Sequence, residues 1–296
     1  MKGLLDRLHS GEVLVADGAM GTLLQQRGLK PGECPEEWCV SHPTVVRGIA
    51  EEYVRAGADV VETNSFGGNR LKLASYGLAH RAGELARAAA ALAKEAVGDR
   101  GYVAASVGPT GRFLEPLGDV TPEEMLAAFA EQVVALAEGG ADAICIETMT
   151  ALEEAELAIR AAKENTNLPV IATMTFDKGA RGYRTMMGVS PQQAARQLLE
   201  FGADVVGSNC GNGIAQMAEI IAEMHAAAPD ALLLVNANAG VPVLEGGVAV
   251  FRETPEDMAA RVGDLVAAGA SIIGGCCGTT PAHIRAIAQA VRSLKP

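Results

Sequence analysis

Cys276 and Cys277 stand side by side at the end of an apolar run, in Gly274-Gly275-Cys276-Cys277-Gly278-Thr279-Thr280-Pro281. Neighbouring side chains of a regular strand point to opposite faces, so two adjacent thiols on a strand cannot reach one target. The flanking glycines predict that the strand ends there and the backbone bends, letting both sulfurs converge. A third cysteine, Cys210, lies between Asn209 and Gly211 at the end of another apolar run. Three thiolates suit a zinc site whose fourth position stays open for water or substrate. A substrate thiol entering there would release its proton to solvent, its thiolate stabilised by the metal, and remain a good nucleophile. Structural zinc sites use four ligands with short Cys-x-x-Cys spacings, and none occurs in this chain. Redox chemistry of the vicinal thiols is the other reading. Cys145 falls mid-strand and reads as a small buried hydrophobe. Cys34 and Cys39, around Pro35 and Trp38, have no clear third ligand and read as structural.

The elements that must position these residues alternate in type. Apolar runs at 12–18, 59–63, 102–107, 143–147, 169–175, 204–208, 232–236 and 271–275 read as strands. Each is followed by a helix or a helix-bearing loop; helices are expected at 44–56, 80–97, 151–164, 191–201, 214–227, 255–268 and 281–294. Another starts at Thr121-Pro122-Glu123-Glu124, with an N-cap, a proline at the first position and acids in the first turn. Residues 28–42 and 177–189 read as loops. The strands are apolar throughout, as strands covered on both faces should be. Eight such units predict a single-domain (β/α)₈ TIM barrel over 1–296. An open doubly wound sheet is the alternative, but no Gly-x-Gly-x-x-Gly follows the first strand.

A repeat supports the barrel. Gly57, Gly140, Gly202 and Gly269 each end a helix just before a strand. Seven residues on lie Asn64, Glu147, Asn209 and Cys276; eight residues on lie Ser65, Thr148, Cys210 and Cys277. Polar or metal-binding types therefore collect at the C-terminal ends of alternate strands, the face where barrel active sites form. Asp17 and Glu147 are carboxylates suited to an ammonium group, with helix capping or support of a neighbour as the plainer reading. The N–H groups of Gly18 and Ala19 open toward a helix and suit a carboxylate. Asn209, Asn236 and Asn238 orient a substrate or satisfy loop backbone. The five histidines fall away from the strand ends and read as surface residues.

Composition sets the wider limits. The net charge of −12 argues against nucleic acid as a partner. No apolar run approaches the roughly 20 residues of a membrane span, and Asp6, Arg7 and His9 interrupt any N-terminal leader. The expectation is a cytoplasmic protein whose six cysteines are thiols or metal ligands.

Asp17-Gly18-Ala19-Met20-Gly21-Thr22, Glu62-Thr63-Asn64-Ser65-Phe66, Gly108-Pro109-Thr110-Gly111, Asn209-Cys210-Gly211 and the paired-cysteine motif together resemble the homocysteine S-methyltransferase family, in that family's order. The resemblance implies zinc held by Cys210, Cys276 and Cys277, with the homocysteine thiolate as fourth ligand. It implies that Asp17 and Glu147 hold the substrate amino group, and that Gly18 and Ala19 hold its carboxylate with Ser65 nearby. The thiolate would then attack an activated methyl group to give methionine. The wording of the motifs is most similar to the homocysteine-binding module of the cobalamin-dependent branch. That implies methylcobalamin as donor, held by a corrinoid-binding module or partner protein. S-methylmethionine- or betaine-type donors are the alternative, and a barrel lyase or scaffold with redox-active thiols stands further off. On this reading the chain is expected to lack a betaine-type C-terminal extension and any folate or corrinoid module after the eighth helix. The chain is read as a fragment of a larger synthase or as a free-standing subunit.

Overall fold

The computed structural model describes residues 2–246 and 248–294. Eight parallel strands form the barrel wall: β1 Leu14–Val15, β2 Val60–Glu62, β3 Tyr102–Val107, β4 Ala143–Met149, β5 Val170–Met174, β6 Val205–Asn209, β7 Leu232–Ala237 and β8 Ala270–Gly275. Hydrogen bonding runs in sequence order from β2 to β8 and on to β1. The ring closes through a parallel bridge from Ala16 to Val60, with Asp17 N–H donating to the Val60 carbonyl at 3.0 Å. The expected (β/α)₈ barrel is therefore the observed architecture.

Strand alternation divides the apolar residues between two cores. Leu14, Val60, Tyr102, Ala143, Cys145, Ile171, Val205, Leu234 and Ile272 fill the barrel interior. Their neighbours Val15, Val61, Val103, Ile144, Val206, Val235 and Ile273 face the helices. Continuing the inward parity toward the strand ends reaches Glu62, Ser106, Glu147, Asn209 and Asn236, so the barrel turns polar at its C-terminal mouth.

The lower end is plugged by a helix that the sequence reading passed over, Leu4–His9, whose Leu4 and Leu8 are spaced to share one face and enter the interior core. Other departures are local. Within the expected 28–42 loop, Trp38–Ser41 is a short helix, and Trp38 stacks on His42 at 4.2 Å between ring centroids. The 177–189 loop contains a hairpin of Asp177–Gly179 and Gly182–Arg184, and a second hairpin, Val243–Glu245 with Val248–Val250, follows β7. The 255–268 helix is broken at Arg261 into Pro255–Ala260 and Val262–Ala267. Thr121 caps its helix through Glu124 N–H, as expected. His283 is not a surface residue: it is buried, with Nδ1 near Thr280 Oγ1 at 2.9 Å and Nε2 near the Glu253 carbonyl at 3.0 Å. No helix among the described residues is long and apolar enough to cross a membrane.

The glycines before the cysteine pair have a different task from the one expected. Gly274 and Gly275 lie within β8, which stops only at Cys276. A Cβ on Gly274 would sit 2.5 Å from Asn236 Oδ1, 2.7 Å from Ala16 Cβ and 2.9 Å from the Asp17 carbonyl. These glycines permit close packing, and the bend itself falls to Gly278, at φ +79°. Gly274→Ala is expected to lower stability by about 1–3 kcal/mol, the usual effect of overpacking. Denaturant unfolding measures it; an unchanged midpoint would show that the contacts relax freely.

Candidate active site

The ends of β1, β2, β3, β4, β6 and β8 surround a cavity of about 390 Å³. Its wall includes Gly18, Ala19, Ser65, Glu147, Cys210, Cys276 and Cys277 from the expected set. It also includes Glu62, Ser106 and Thr148, which the sequence reading left without a role. Asp17 and Asn209 are not on the cavity surface; both are 1% exposed and lie just behind it.

One wall is sulfur. The Sγ atoms of Cys210, Cys276 and Cys277 all lie within 4.8 Å of one another, and Cys210 to Cys277 is 3.7 Å. Cys210 reaches this position through a left-handed backbone at φ +60°, followed by Gly211 at +76°. Such a conformation is strained for a residue with a Cβ. It is held by Cys210 N–H donating to the Asn236 carbonyl and by Asn212 N–H donating back to the Cys210 carbonyl. Cys276 is anchored by its N–H to the Ala237 carbonyl at 2.7 Å, while its own carbonyl accepts from Thr279 Oγ1 at 2.7 Å. The same Thr279 oxygen accepts from Ala19 N–H at 3.1 Å, tying the cysteine turn to the end of β1.

The neighbouring sulfurs divide their protons unequally. Hydrogen bonds from Cys276 and Cys277 hold the Cys210 thiol down to about 3. The Cys210 sulfur in turn pushes Cys277 up to about 12 and raises Cys276. Three sulfurs that compete for protons in this way form a donor set that would release protons on binding a soft cation.

The other wall is acidic. Glu147 accepts from Ser106 Oγ at Oε1 and from Asn209 Nδ2 at 3.1 Å. Burial pushes its carboxyl up to about 7 against the Ser106 hydrogen bond. Asn209 Oδ1 accepts from Thr148 N–H and from Thr173 Oγ1, both at 2.7 Å, and its amide also donates to Thr148 Oγ1. Thr148 is itself left-handed at φ +60°. The structure therefore spends every polar atom of Asn209 on fixing Glu147 and the strained residue after it. Burial likewise raises the carboxyls of Asp17 and Glu62 well above the usual range.

Two donors nominated for a carboxylate are engaged inside the protein. Ala19 N–H is held by Thr279, and Ser65 Oγ donates to the Ser106 carbonyl at 2.7 Å. Asn64 turns its amide to the Pro35 carbonyl at 2.7 Å, bracing the loop that carries buried Cys34 and Cys39. Cys145 is buried mid-strand as expected. A separate groove of about 260 Å³ lies beyond Thr150, lined by Phe113, Leu117 and Met187. Its buried carboxylate, Glu154, is occupied by Thr110 N–H and Oγ1 at 2.7 Å each.

Comparison with known proteins gives this arrangement its family. The pattern of the homocysteine S-methyltransferase family matches residues 14–291. Methionine synthase of Mycobacterium tuberculosis (strain ATCC 25618 / H37Rv) is 36% identical over 315 residues, covering 99% of this chain and 26% of that protein. Methionine synthase of Mycobacterium leprae (strain TN) is 34% identical over 302 residues, covering 94% and 24%. The chain thus spans about a quarter of the length of these relatives. The metallated form of the homocysteine methyltransferase MmuM from Escherichia coli shares the fold, with a TM-score of 0.80 at 24% identity over 97% of this chain and 99% of that one. The chain belongs to the homocysteine S-methyltransferase family.

Proposed function

We propose that this chain binds homocysteine with its sulfur at a zinc ion held by Cys210, Cys276 and Cys277, and directs that sulfur at a methyl donor to give methionine. The observation that carries the reading is the convergence of three thiols on one wall of a cavity whose other wall is acidic. The donor set fits zinc: three soft sulfurs lie within 4.8 Å of one another, and no other His, Cys, Asp or Glu among the described residues joins the group. When bound there, zinc supplies the Lewis acidity that keeps a substrate thiol deprotonated at neutral pH.

Every other task falls to the chain. Glu147, fixed by Ser106 and Asn209, receives the ammonium group, with Asp17 behind that wall. The carboxylate is received at the Gly18 end of the Gly18–Ala19 turn, with Ser65 nearby on the cavity wall, because Ala19 N–H is held by Thr279 and Ser65 Oγ by the Ser106 carbonyl. Anchoring both ends of the amino acid fixes the direction of its sulfur, which lowers the entropic part of the barrier. A carbon–sulfur bond forms as the methyl leaves its donor, and the donor keeps the electron pair of the bond that breaks.

The donor is read as methylcobalamin, carried by a corrinoid-binding module or partner protein. The similarity to methionine synthases supports this, since this chain accounts for only a quarter of their length. Reduced thiols at the centre of the site suit a cytoplasmic location. The test offers methylcobalamin, S-methylmethionine and betaine separately to the zinc-loaded chain with homocysteine. Homocysteine-dependent loss of methylcobalamin is expected, with methionine formed in equal amount. Turnover with S-methylmethionine or betaine alone would overturn the donor assignment and leave the thiol chemistry standing.

A further inference from the structure

The acidic wall contains more than Glu147. Glu62 ends β2 on the inward parity and lines the cavity, whereas Asp17 does not. Its Oε1 is held in place, accepting from Asn236 Nδ2 at 3.2 Å and from the Cys145 thiol at 3.6 Å. Its Oε2 has no hydrogen-bond donor among the described residues. Asp17 stands behind it: Asp17 Oδ2 accepts from Glu62 N–H at 3.0 Å, and Oδ1 is buried without a donor. Asn236 Oδ1 is buried and unpartnered as well.

Among the described residues, the cavity wall carries no Arg or Lys. Buried carboxylates without a countercharge are unfavourable, so the wall suits a ligand that brings the cation itself. An ammonium group has three N–H donors to place. Both oxygens of Glu147 already have protein donors, in Ser106 and Asn209. Glu62 is the carboxylate on the surface with an oxygen to spare.

Resting on the homocysteine reading above, we propose that Glu62 touches the substrate ammonium together with Glu147, and that it makes the site select thiols that carry an α-amino group. Asp17 is then a positioning residue, holding the Glu62 backbone from behind. Glu62→Gln keeps the shape and removes the charge; Glu62→Asp keeps the charge and withdraws it.

The experiment is calorimetric titration of the zinc-loaded chain with homocysteine and with 4-mercaptobutanoate, which has the same thiol and carboxylate and no amine. The parent is expected to prefer homocysteine. In Glu62→Gln that preference falls about tenfold or more, the loss of one hydrogen bond to a charged group, while affinity for 4-mercaptobutanoate is retained. Unchanged preference, or equal loss for both thiols, overturns the inference while leaving the homocysteine reading intact. A parent that binds neither thiol overturns that reading and this inference with it. Should Glu62→Gln fail to fold, Glu62→Asp carries the same test: its preference falls by a smaller factor, and an unchanged one overturns the assignment.

Discussion

Cys276→Ser is expected to keep the barrel, lose stoichiometric zinc and lose methyl transfer by more than about a hundredfold, since disturbing even the residues behind a metal ligand costs 10–100-fold. The reasons lie in where the residue sits. Cys276 is anchored through its own N–H and carbonyl, to Ala237 and Thr279, and neither bond involves its side chain. Exchanging sulfur for oxygen therefore leaves the turn in place and changes only the donor. A hydroxyl is a hard, weakly acidic donor, poorly matched to a site with two remaining thiolates. Metal content and circular dichroism separate the effects. Full zinc content with activity within a few-fold of the parent would remove Cys276 from the metal site.

Glu147→Gln is expected to raise the homocysteine KM roughly ten- to hundredfold, the value of a hydrogen bond to a charged group, with a smaller effect on kcat. Its pH signature is more specific. Burial pushes the Glu147 carboxyl up to about 7. The carboxylate form, which an ammonium needs, therefore grows as pH rises from 6 to 8. Binding of methionine, which has the same ammonium and no thiol proton, should tighten over that range in the parent and stay flat in Glu147→Gln. The stability sign is the reverse. An acid whose folded pKa is raised favours the protonated native state, so its contribution is present at low pH and fades as pH passes about 7. The free protein should lose stability as pH rises from about 4.5 to about 7 and level off above that, and methionine should restore it. Methionine affinity with the same pH slope in both proteins would take Glu147 out of the ammonium subsite.

Much of this was legible in the sequence because the relevant constraints are local. Strands buried on both faces must be apolar, and the helix-ending glycines mark the joints, so the barrel can be counted before it is seen. Three cysteines at strand ends on one face already specify a wall of sulfur. Glu62 was missed for an identifiable reason. Counting seven residues from Gly57 reaches Asn64, which lies past the end of β2 and turns its amide to the 34–39 loop. Counting inward parity from Val60 reaches Glu62. The hairpin at 177–184 left little trace because Asp177, Lys178 and Gly179 are all exposed, so no apolar alternation marks it. The glycines before the cysteines were legible as a constraint but not as the correct one, because Gly274 packs against Ala16 and Asp17, just past β1, and Asn236 in β7, the two neighbouring strands, which are remote in sequence.

The most direct test of the central claim is zinc K-edge X-ray absorption on the loaded chain, with and without homocysteine. The expected result is a zinc shell containing three sulfurs that gains a fourth when homocysteine is added, and no gain with homoserine. A shell dominated by oxygen and nitrogen, or one that homocysteine leaves unchanged, would contradict it.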